Sequence, residues 1–228
     1  MSSESLLKYK TTFRGLTLCP IEQNHCRACL NISVDNENLQ GSKLIAIVNK
    51  ATRVFASLDI MICDSLNRFN IMLEKNIDSL LAEKLSLEIG NEWIKKNLDP
   101  IRELAIPIRV LRWNEWRQKP EYSMVHTQLV KLFNEDDDCK SIFIESSQKY
   151  LERKKLVGLE HAEQRSLEYL IEECSVIRLW ALYGYNLELY PSDRSPVVSC
   201  MFDKLINSTD NYLYFSRIDL RREYATSA

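Results

Sequence analysis

The chain has 228 residues, of which 45% are hydrophobic and 27% charged, and a formal net charge of −2. These fractions are typical of a globular protein and exclude a disordered chain. The 30 basic and 32 acidic residues exclude a strong basic excess, so any contact with RNA must come from local patches. With five glycines and six prolines a many-stranded β architecture is disfavoured, and no apolar run approaches the roughly 20 residues of a membrane-spanning helix.

The hydrophobic pattern predicts alternating strands and helices. After a polar, irregular segment 1–23, a buried strand (28–34), a helix (44–56, with Ser42 as its N-cap) and a second buried strand (59–65) form the unit typical of parallel sheets. Further helices are predicted over 71–105, 124–133, 140–155, 161–184 and 201–207, and further strands over 108–113, 186–191 and 211–219. This order predicts one α/β domain over 1–228, with a mostly parallel central sheet and 1–23 as a peripheral segment.

The seven cysteines predict reduced thiols and a cytoplasmic location, because their number is odd and the first ten residues do not have the layout of a signal peptide. Cys26 and Cys29 have the C-x-x-C spacing of redox and zinc motifs, but no second pair follows and the three histidines are scattered. The acidic run 135–138 could bind a divalent cation, although a solvated loop between helices is the simpler interpretation. We therefore predict no metal.

Three residues stand where ligands bind in open parallel sheets, at the carboxyl ends of strands. Ser33 closes the first predicted strand, Asp64 the second and Tyr190 a later one. A serine there can be a nucleophile, although it is more commonly a turn residue. Tyr169 and Glu173 share one face of a long helix, where the carboxylate could orient an amine or exchange a proton, unless the two are an ordinary surface pair.

The sequence lacks the common nucleotide and hydrolase motifs. No P-loop, G-x-G-x-x-G or G-x-S-x-G pattern is present. A nucleotide-consuming enzyme is therefore disfavoured.

Five short motifs, in this order, resemble those of the tRNA-dependent cyclodipeptide synthases from about residue 24 to about residue 215. They are a strand-end serine with an asparagine three residues later, a strand-end aspartate, a Pro-Glu-Tyr before a helix, a Tyr-x-x-x-Glu on a long helix and a strand-end tyrosine. The matching residues are Ser33 with Asn36, Asp64 between Cys63 and Ser65, Pro120-Glu121-Tyr122, Tyr169 with Glu173, and Tyr190. Two features depart from the family: Asn31 replaces a usual glycine, and Pro191 marks one subfamily whereas Asn36 is more typical of the other.

The resemblance implies a Rossmann-like fold, similar to the catalytic domain of class I aminoacyl-tRNA synthetases. It also implies a ping-pong reaction in which two aminoacyl-tRNAs form a cyclic dipeptide, a 2,5-diketopiperazine, without ATP or any other cofactor. Ser33 would attack the aminoacyl ester and carry first the aminoacyl and then the dipeptidyl group. Tyr169 and Glu173 would hold the α-ammonium of the first aminoacyl group, and Tyr190 would assist proton transfer during cyclisation.

The resemblance also assigns residues around the substrate. Asn36 and Tyr122 would line the site, and the pocket for the first side chain would be formed by Cys29, Asn31, Met61, Cys63, Trp113, Val176 and Glu188. A buried carboxylate needs a partner, so Glu188 predicts a polar or basic first amino acid, with histidine or arginine ahead of leucine or phenylalanine. The alternative is that Glu188 points to solvent, because strand residues alternate between faces.

A basic patch in the helical region 71–105 is the predicted tRNA-binding surface, although the glutamates among its members make an ordinary solvated helix the alternative. Its members are Lys75, Lys84, Lys95, Lys96 and Arg102. Two other functions stay open. An enzyme related to aminoacyl-tRNA synthetases would need HIGH-type and KMSKS-type motifs, which the sequence lacks; a non-catalytic tRNA- or protein-binding module would not depend on Ser33.

Overall fold

A computed structural model describes residues 8–102, 108–205 and 212–223, and a mixed sheet of six strands forms its centre. The strands are β1 (Lys8–Arg14), β2 (Arg27–Ile32), β3 (Ser57–Ile62), β4 (Arg109–Arg112), β5 (Leu187–Tyr190) and β6 (Tyr214–Glu223). Their order across the sheet is β1-β6-β5-β2-β3-β4. Every neighbouring pair is parallel except β1 with β6, which is antiparallel, so the predicted mostly parallel sheet is confirmed.

Helices follow the strands as predicted, and hydrophobic side chains fill both sides of the sheet. The helices are α1 (Gly41–Val54), α2 (Arg68–Lys75), α3 (Ser79–Asn97), α4 (Asp99–Arg102), α5 (Trp113–Arg117), α6 (Tyr122–Glu135), α7 (Asp137–Lys154), α8 (Ala162–Leu182) and α9 (Pro196–Leu205). None of the described helices is long and apolar enough to cross a bilayer.

Alternation along the strands divides the hydrophobic residues into two cores. Cys29 and Met61 pack against α5, α6, α8 and α9, whereas Leu30 and Ile60 pack on the other face, against α1 and the end of α3. Successive strand residues point to opposite faces, which is why neighbours separate in this way. The C-x-x-C pair is divided too, since Cys26 belongs to the second core and Cys29 to the first.

Three local features differ from the sequence-based expectations. The segment predicted as irregular contains edge strand β1, whose alternation is hard to recognise because most of its residues are polar. The region 71–105 contains three helices rather than one, since Asn76 has a left-handed backbone and the Asp78 side chain caps α3 by accepting from the Leu81 amide (3.0 Å). Helix α1 begins at Gly41 instead of after Ser42, because the Gly41 amide donates to Asn97 Oδ1 (2.9 Å).

Helices α7 and α9 are joined by a disulfide between Cys139 and Cys200, so the expectation of reduced thiols is wrong for these two residues. The acidic run helps to make the same junction. Asp136 caps α7 by accepting from the Cys139 amide (2.9 Å) and pairs with Lys204 of α9 (2.8 Å). No group of three metal-ligating side chains occurs among the described residues.

Asp64 is a structural residue, although the sequence placed it among the strand-end candidates. Its carboxylate is fully buried, accepts from the Ser65 amide (2.8 Å) and pairs with Arg112 at the end of β4 (2.6 Å from Nε to Oδ2). Helix α3 passes over this ion pair at Gly90, where a Cβ would lie 2.6 Å from the Cβ of Asp64 and overlap its carboxylate. The ion pair therefore requires glycine at residue 90.

Replacing Gly90 with alanine should lower the free energy of unfolding by about 2 to 4 kcal/mol, because the new methyl group displaces a buried ion pair. Helix propensity alone would make the same change stabilising by about 1 kcal/mol, so the two effects have opposite signs. Denaturant unfolding measures the difference. The matched control is Glu88→Ala on the exposed face of α3, which should stay within about 0.5 kcal/mol of the wild type; equal stability of the two variants would contradict the steric argument.

Candidate active site

The connections between strands reverse direction between β2 and β5. From β2 the chain proceeds outward to β3 and β4, and it then returns to build β5 and β6 on the opposite side of β2. The carboxyl ends of β2 and β5 therefore diverge into a crevice, the usual ligand site of open α/β sheets. A cavity of about 520 Å³ lies there, bordered by both strand ends, by α7 and α8, and by the segment 192–196.

Ser33 follows β2 directly and borders this cavity. Its hydroxyl donates to the Asp35 carboxylate (2.7 Å from Oγ to Oδ1), and it also interacts with the hydroxyl of Tyr190 at the end of β5. Burial raises the pKa of Tyr190, so this phenol stays protonated, and it accepts a weak hydrogen bond from Asn36 Nδ2 (3.4 Å). The serine hydroxyl thus lies between a carboxylate that can accept its proton and a phenol that can donate one.

Tyr169 and Glu173 of α8 lie in the same cavity. The tyrosine hydroxyl is 3.4 Å from Glu173 Oε1. Burial and the nearby Glu188 carboxylate raise the pKa of Glu173 to about 7, and the hydrogen bond from Tyr169 opposes this rise. A carboxylate with so few compensating charges favours a bound cation and can exchange a proton near neutral pH.

Glu188 of β5 is buried in the cavity wall, which excludes the alternative that it points to solvent. Its Oε1 accepts from Asn31 Nδ2 (2.8 Å), and Asn31 Oδ1 in turn accepts from the Cys63 thiol (2.8 Å). Burial raises the pKa of Glu188, whereas Arg194 and Asn31 lower it. Strands β5 and β2 and the residue after β3 thus bring three polar side chains together on one wall.

Several residues expected around the substrate do not border the cavity. Asn36 acts on the site through Tyr190. Four residues expected in the first side-chain pocket are instead buried in the hydrophobic core, because they point into the layer between the sheet and α5, α6, α8 and α9: Cys29, Met61, Trp113 and Val176. The pocket expected from seven residues is therefore bordered by three of them: Asn31, Cys63 and Glu188.

Glu172 is a buried acid that the sequence patterns did not single out. Arg68 of α2 binds it through both terminal nitrogens (2.7 and 2.5 Å), and the Trp113 indole donates to the same carboxylate (3.0 Å). Tyr122 also hydrogen-bonds to Glu172, which is why this tyrosine lies outside the cavity. The ion pair fixes α8 against α2 and α5, and so fixes the rotation of the helix that carries Tyr169 and Glu173.

Basic residues occur on three surfaces. Those expected to bind tRNA are exposed on α2 and α3, away from the cavity, except that the Arg102 side chain lies outside the described residues: Lys75, Lys84, Lys95 and Lys96. The β1–β6 edge carries exposed Lys10 directly opposite Arg221, an arrangement of like charges that is unfavourable without an anionic partner. Residues of α7 reach the cavity itself: Lys149, Arg153 and Lys154.

Comparison with known proteins connects this arrangement to one family. No family model and no curated protein matches the sequence. Among solved structures, a cyclodipeptide synthase from Fluoribacter dumoffii is 26% identical with a TM-score of 0.85, and the match covers 95% of this chain and 100% of the other.

More distant structures have the same fold. A cyclodipeptide synthase from Candidatus Glomeribacter gigasporarum, solved with Phe-tRNAPhe bound, is 18% identical with a TM-score of 0.75 over 95% of this chain and 97% of its own. A Mycobacterium tuberculosis protein, described as showing that these enzymes are related to type I tRNA synthetases, is 13% identical with a TM-score of 0.70 over 96% and 98%. Together with the five motifs, this likeness over nearly the full length makes the chain a member of the cyclodipeptide synthase family.

Proposed function

We propose that the protein is a tRNA-dependent cyclodipeptide synthase, an aminoacyltransferase that uses two aminoacyl-tRNAs in succession and needs no ATP. The observation that carries the proposal is one cavity containing the Ser33 hydroxyl and the Glu173 carboxylate, a nucleophile for an ester and an anion for its α-ammonium. Both ends of an aminoacyl ester are thereby matched. Because aminoacyl-tRNAs are cytoplasmic, we assign the enzyme to the cytoplasm.

The first step is acylation of Ser33. Its Oγ attacks the ester carbonyl of the first aminoacyl-tRNA, the new Oγ–C bond replaces the bond to the ribose oxygen, and the tRNA leaves. Asp35, which already accepts the hydroxyl proton at 2.7 Å, takes that proton and returns it to the departing oxygen. The ester is already activated, so positioning accounts for most of the acceleration.

The later steps need a free amine. Glu173 holds the α-ammonium and, with a pKa of about 7, accepts its proton near neutral pH. The amine of the Ser33-bound aminoacyl group then attacks the ester of the second aminoacyl-tRNA, which leaves a dipeptidyl group on Ser33. The new terminal amine finally attacks the Ser33 ester and closes the ring, with Tyr190 supplying a proton to the serine oxygen.

Two alternatives predict different measurements. An enzyme related to aminoacyl-tRNA synthetases would catalyse ATP–pyrophosphate exchange, for which we expect no signal. A non-catalytic tRNA- or protein-binding module would bind without forming a covalent adduct or a product.

Ser33→Ala should abolish both the aminoacyl-enzyme and the cyclic dipeptide, because the variant has no nucleophile. Intact-protein mass spectrometry after mixing with aminoacyl-tRNA measures the adduct, and product mass measures turnover. Ser192→Ala is the matched control, since Ser192 borders the same cavity without any role in the reaction, and it should keep both signals. Product formation by Ser33→Ala at the wild-type rate would refute the assignment, and a wild-type protein that binds tRNA without any adduct would support the binding module.

Glu173→Gln should lower activity by about 100-fold or more, because a charge-assisted contact of a few kcal/mol is lost. The same variant should be more stable than the wild type at pH 8. The pKa of Glu173 rises from its ordinary 4.5 to about 7 on folding, so wild-type stability falls as the pH rises through this window, and glutamine removes the loss. Thermal unfolding should show a gain of about 2 to 3 kcal/mol at pH 8 that disappears by pH 4. Glu168→Gln, an exposed carboxylate on the same helix, is the control; activity of Glu173→Gln within about threefold of the wild type would make the Tyr169–Glu173 pair structural.

Two basic surfaces compete for the tRNA phosphates, and their removal should separate them. If the α3 patch binds tRNA, Lys95→Ala with Lys96→Ala should raise the KM for aminoacyl-tRNA and lower the slope of log KM against log salt by up to about 2, roughly one per phosphate. Lys10→Ala with Arg221→Ala makes the matching change on the β1–β6 edge. An unchanged KM and salt slope in the first variant, with both altered in the second, would assign the contact to that edge.

A further inference from the structure

We infer that the polar wall formed by Asn31, Cys63 and Glu188 is a subsite for a cationic side chain, so that the first aminoacyl group is basic, such as histidyl or arginyl. The inference rests on the proposed function and names the substrate class of the same cavity. The juxtaposition that carries it is a cavity with two inward-facing carboxylates, Glu173 and Glu188. A basic aminoacyl group has two cations, its α-ammonium and its side chain.

The hydrogen bonds within the wall leave one acceptor open. Asn31 uses its amide nitrogen on Glu188 Oε1 and its amide oxygen on the Cys63 thiol. Among the described residues none other than Asn31 hydrogen-bonds to Glu188, so its second oxygen, Oε2, has no protein donor. The side chain is only 4% exposed, and the cavity is the route by which a donor can reach it.

Arg194 is the nearest cation, yet it is held apart from Glu188. Its Nη2 donates to the Leu213 carbonyl (2.7 Å), and its guanidinium packs over the Phe202 ring (4.6 Å). Among the described residues no side-chain nitrogen of lysine, arginine or histidine lies within 4.0 Å of the Glu188 carboxylate. Arg194 therefore lowers the cost of the buried charge from a distance, without occupying the place of a ligand.

A neutral apolar side chain in this place would cover Glu188 and remove its last access to water. A buried charge without a partner is strongly unfavourable, so a site built around a hydrogen-bonding group rejects a substrate that lacks the matching group. A guanidinium or imidazolium supplies both the N–H donor and the charge. The wall thus favours basic side chains and excludes leucine and phenylalanine by the same interaction.

The experiment offers the purified enzyme a complete set of aminoacyl-tRNAs and identifies, by mass, the aminoacyl group on Ser33 and the cyclic dipeptides released. We expect the Ser33 adduct to be histidyl or arginyl, or lysyl, the remaining basic group. Glu188→Gln preserves shape and the acceptor for Asn31 but removes the charge, and it should lower kcat/KM for the basic substrate at least 100-fold. Glu188→Leu should shift the adduct toward aliphatic and aromatic groups.

Asp193→Asn is the matched control, because Asp193 borders the same cavity but is exposed and paired with Arg217. It should keep the wild-type selectivity and a kcat/KM within about threefold, which is well below one kcal/mol. Should Glu188→Leu fail to fold, Glu188→Gln decides the question. Adducts made only from neutral amino acids, or an unchanged kcat/KM in Glu188→Gln, would overturn the inference while leaving the proposed function intact. The absence of any adduct or product with any aminoacyl-tRNA would instead refute the proposed function.

Discussion

The site depends on the buried ion pair between Arg68 and Glu172. Glu172 and Glu173 are adjacent on α8, and one residue turns the direction of a helical side chain by about 100°. The bidentate arginine and the Trp113 indole satisfy the first carboxylate, which fixes the rotation of α8. The second carboxylate then faces the cavity with only a weak contact from Tyr169. Breaking a buried pair of this kind typically costs 3 to 5 kcal/mol, so a different rotation of α8 is strongly disfavoured.

The sheet supplies the other half of the site through its topology. Because the chain order reverses between β2 and β5, the ends of these two strands open into a crevice, which brings Ser33 and Tyr190 together although 157 positions separate them. Alternation along β5 determines the remaining chemistry: Leu187 and Leu189 point into one core, and Glu188 between them points into the cavity wall. The same backbone geometry thus produces both the hydrophobic core and a buried acid.

Buried charges in this fold have two distinct fates. Asp64, Asp59 and Glu172 are each paired with arginine, and their surroundings are closed: Gly90 covers Asp64, and Arg109 and Tyr185 enclose Asp59. Glu173 and Glu188 have amide, phenol or distant charge partners and no arginine within ion-pair distance. Burial without a counterion raises the pKa of both acids, and such groups are typical of functional sites. The contrast identifies the reactive region without reference to any relative.

Sequence patterns by themselves determined the order and type of most elements, because hydrophobic periodicity and capping are local properties. They placed Ser33 and Tyr190 at strand ends and Tyr169 with Glu173 on one helical face, and the five motifs carried the family. They missed β1, whose polar edge has a weak period, and the breaks within 71–105. Only the tertiary structure decided which acids are neutralised: it paired Asp64 with Arg112, buried Trp113 beside Glu172, joined Cys139 to Cys200 and turned Glu188 into the cavity. These outcomes depend on residues far apart in the chain, and neither composition nor spacing encodes such long-range contacts.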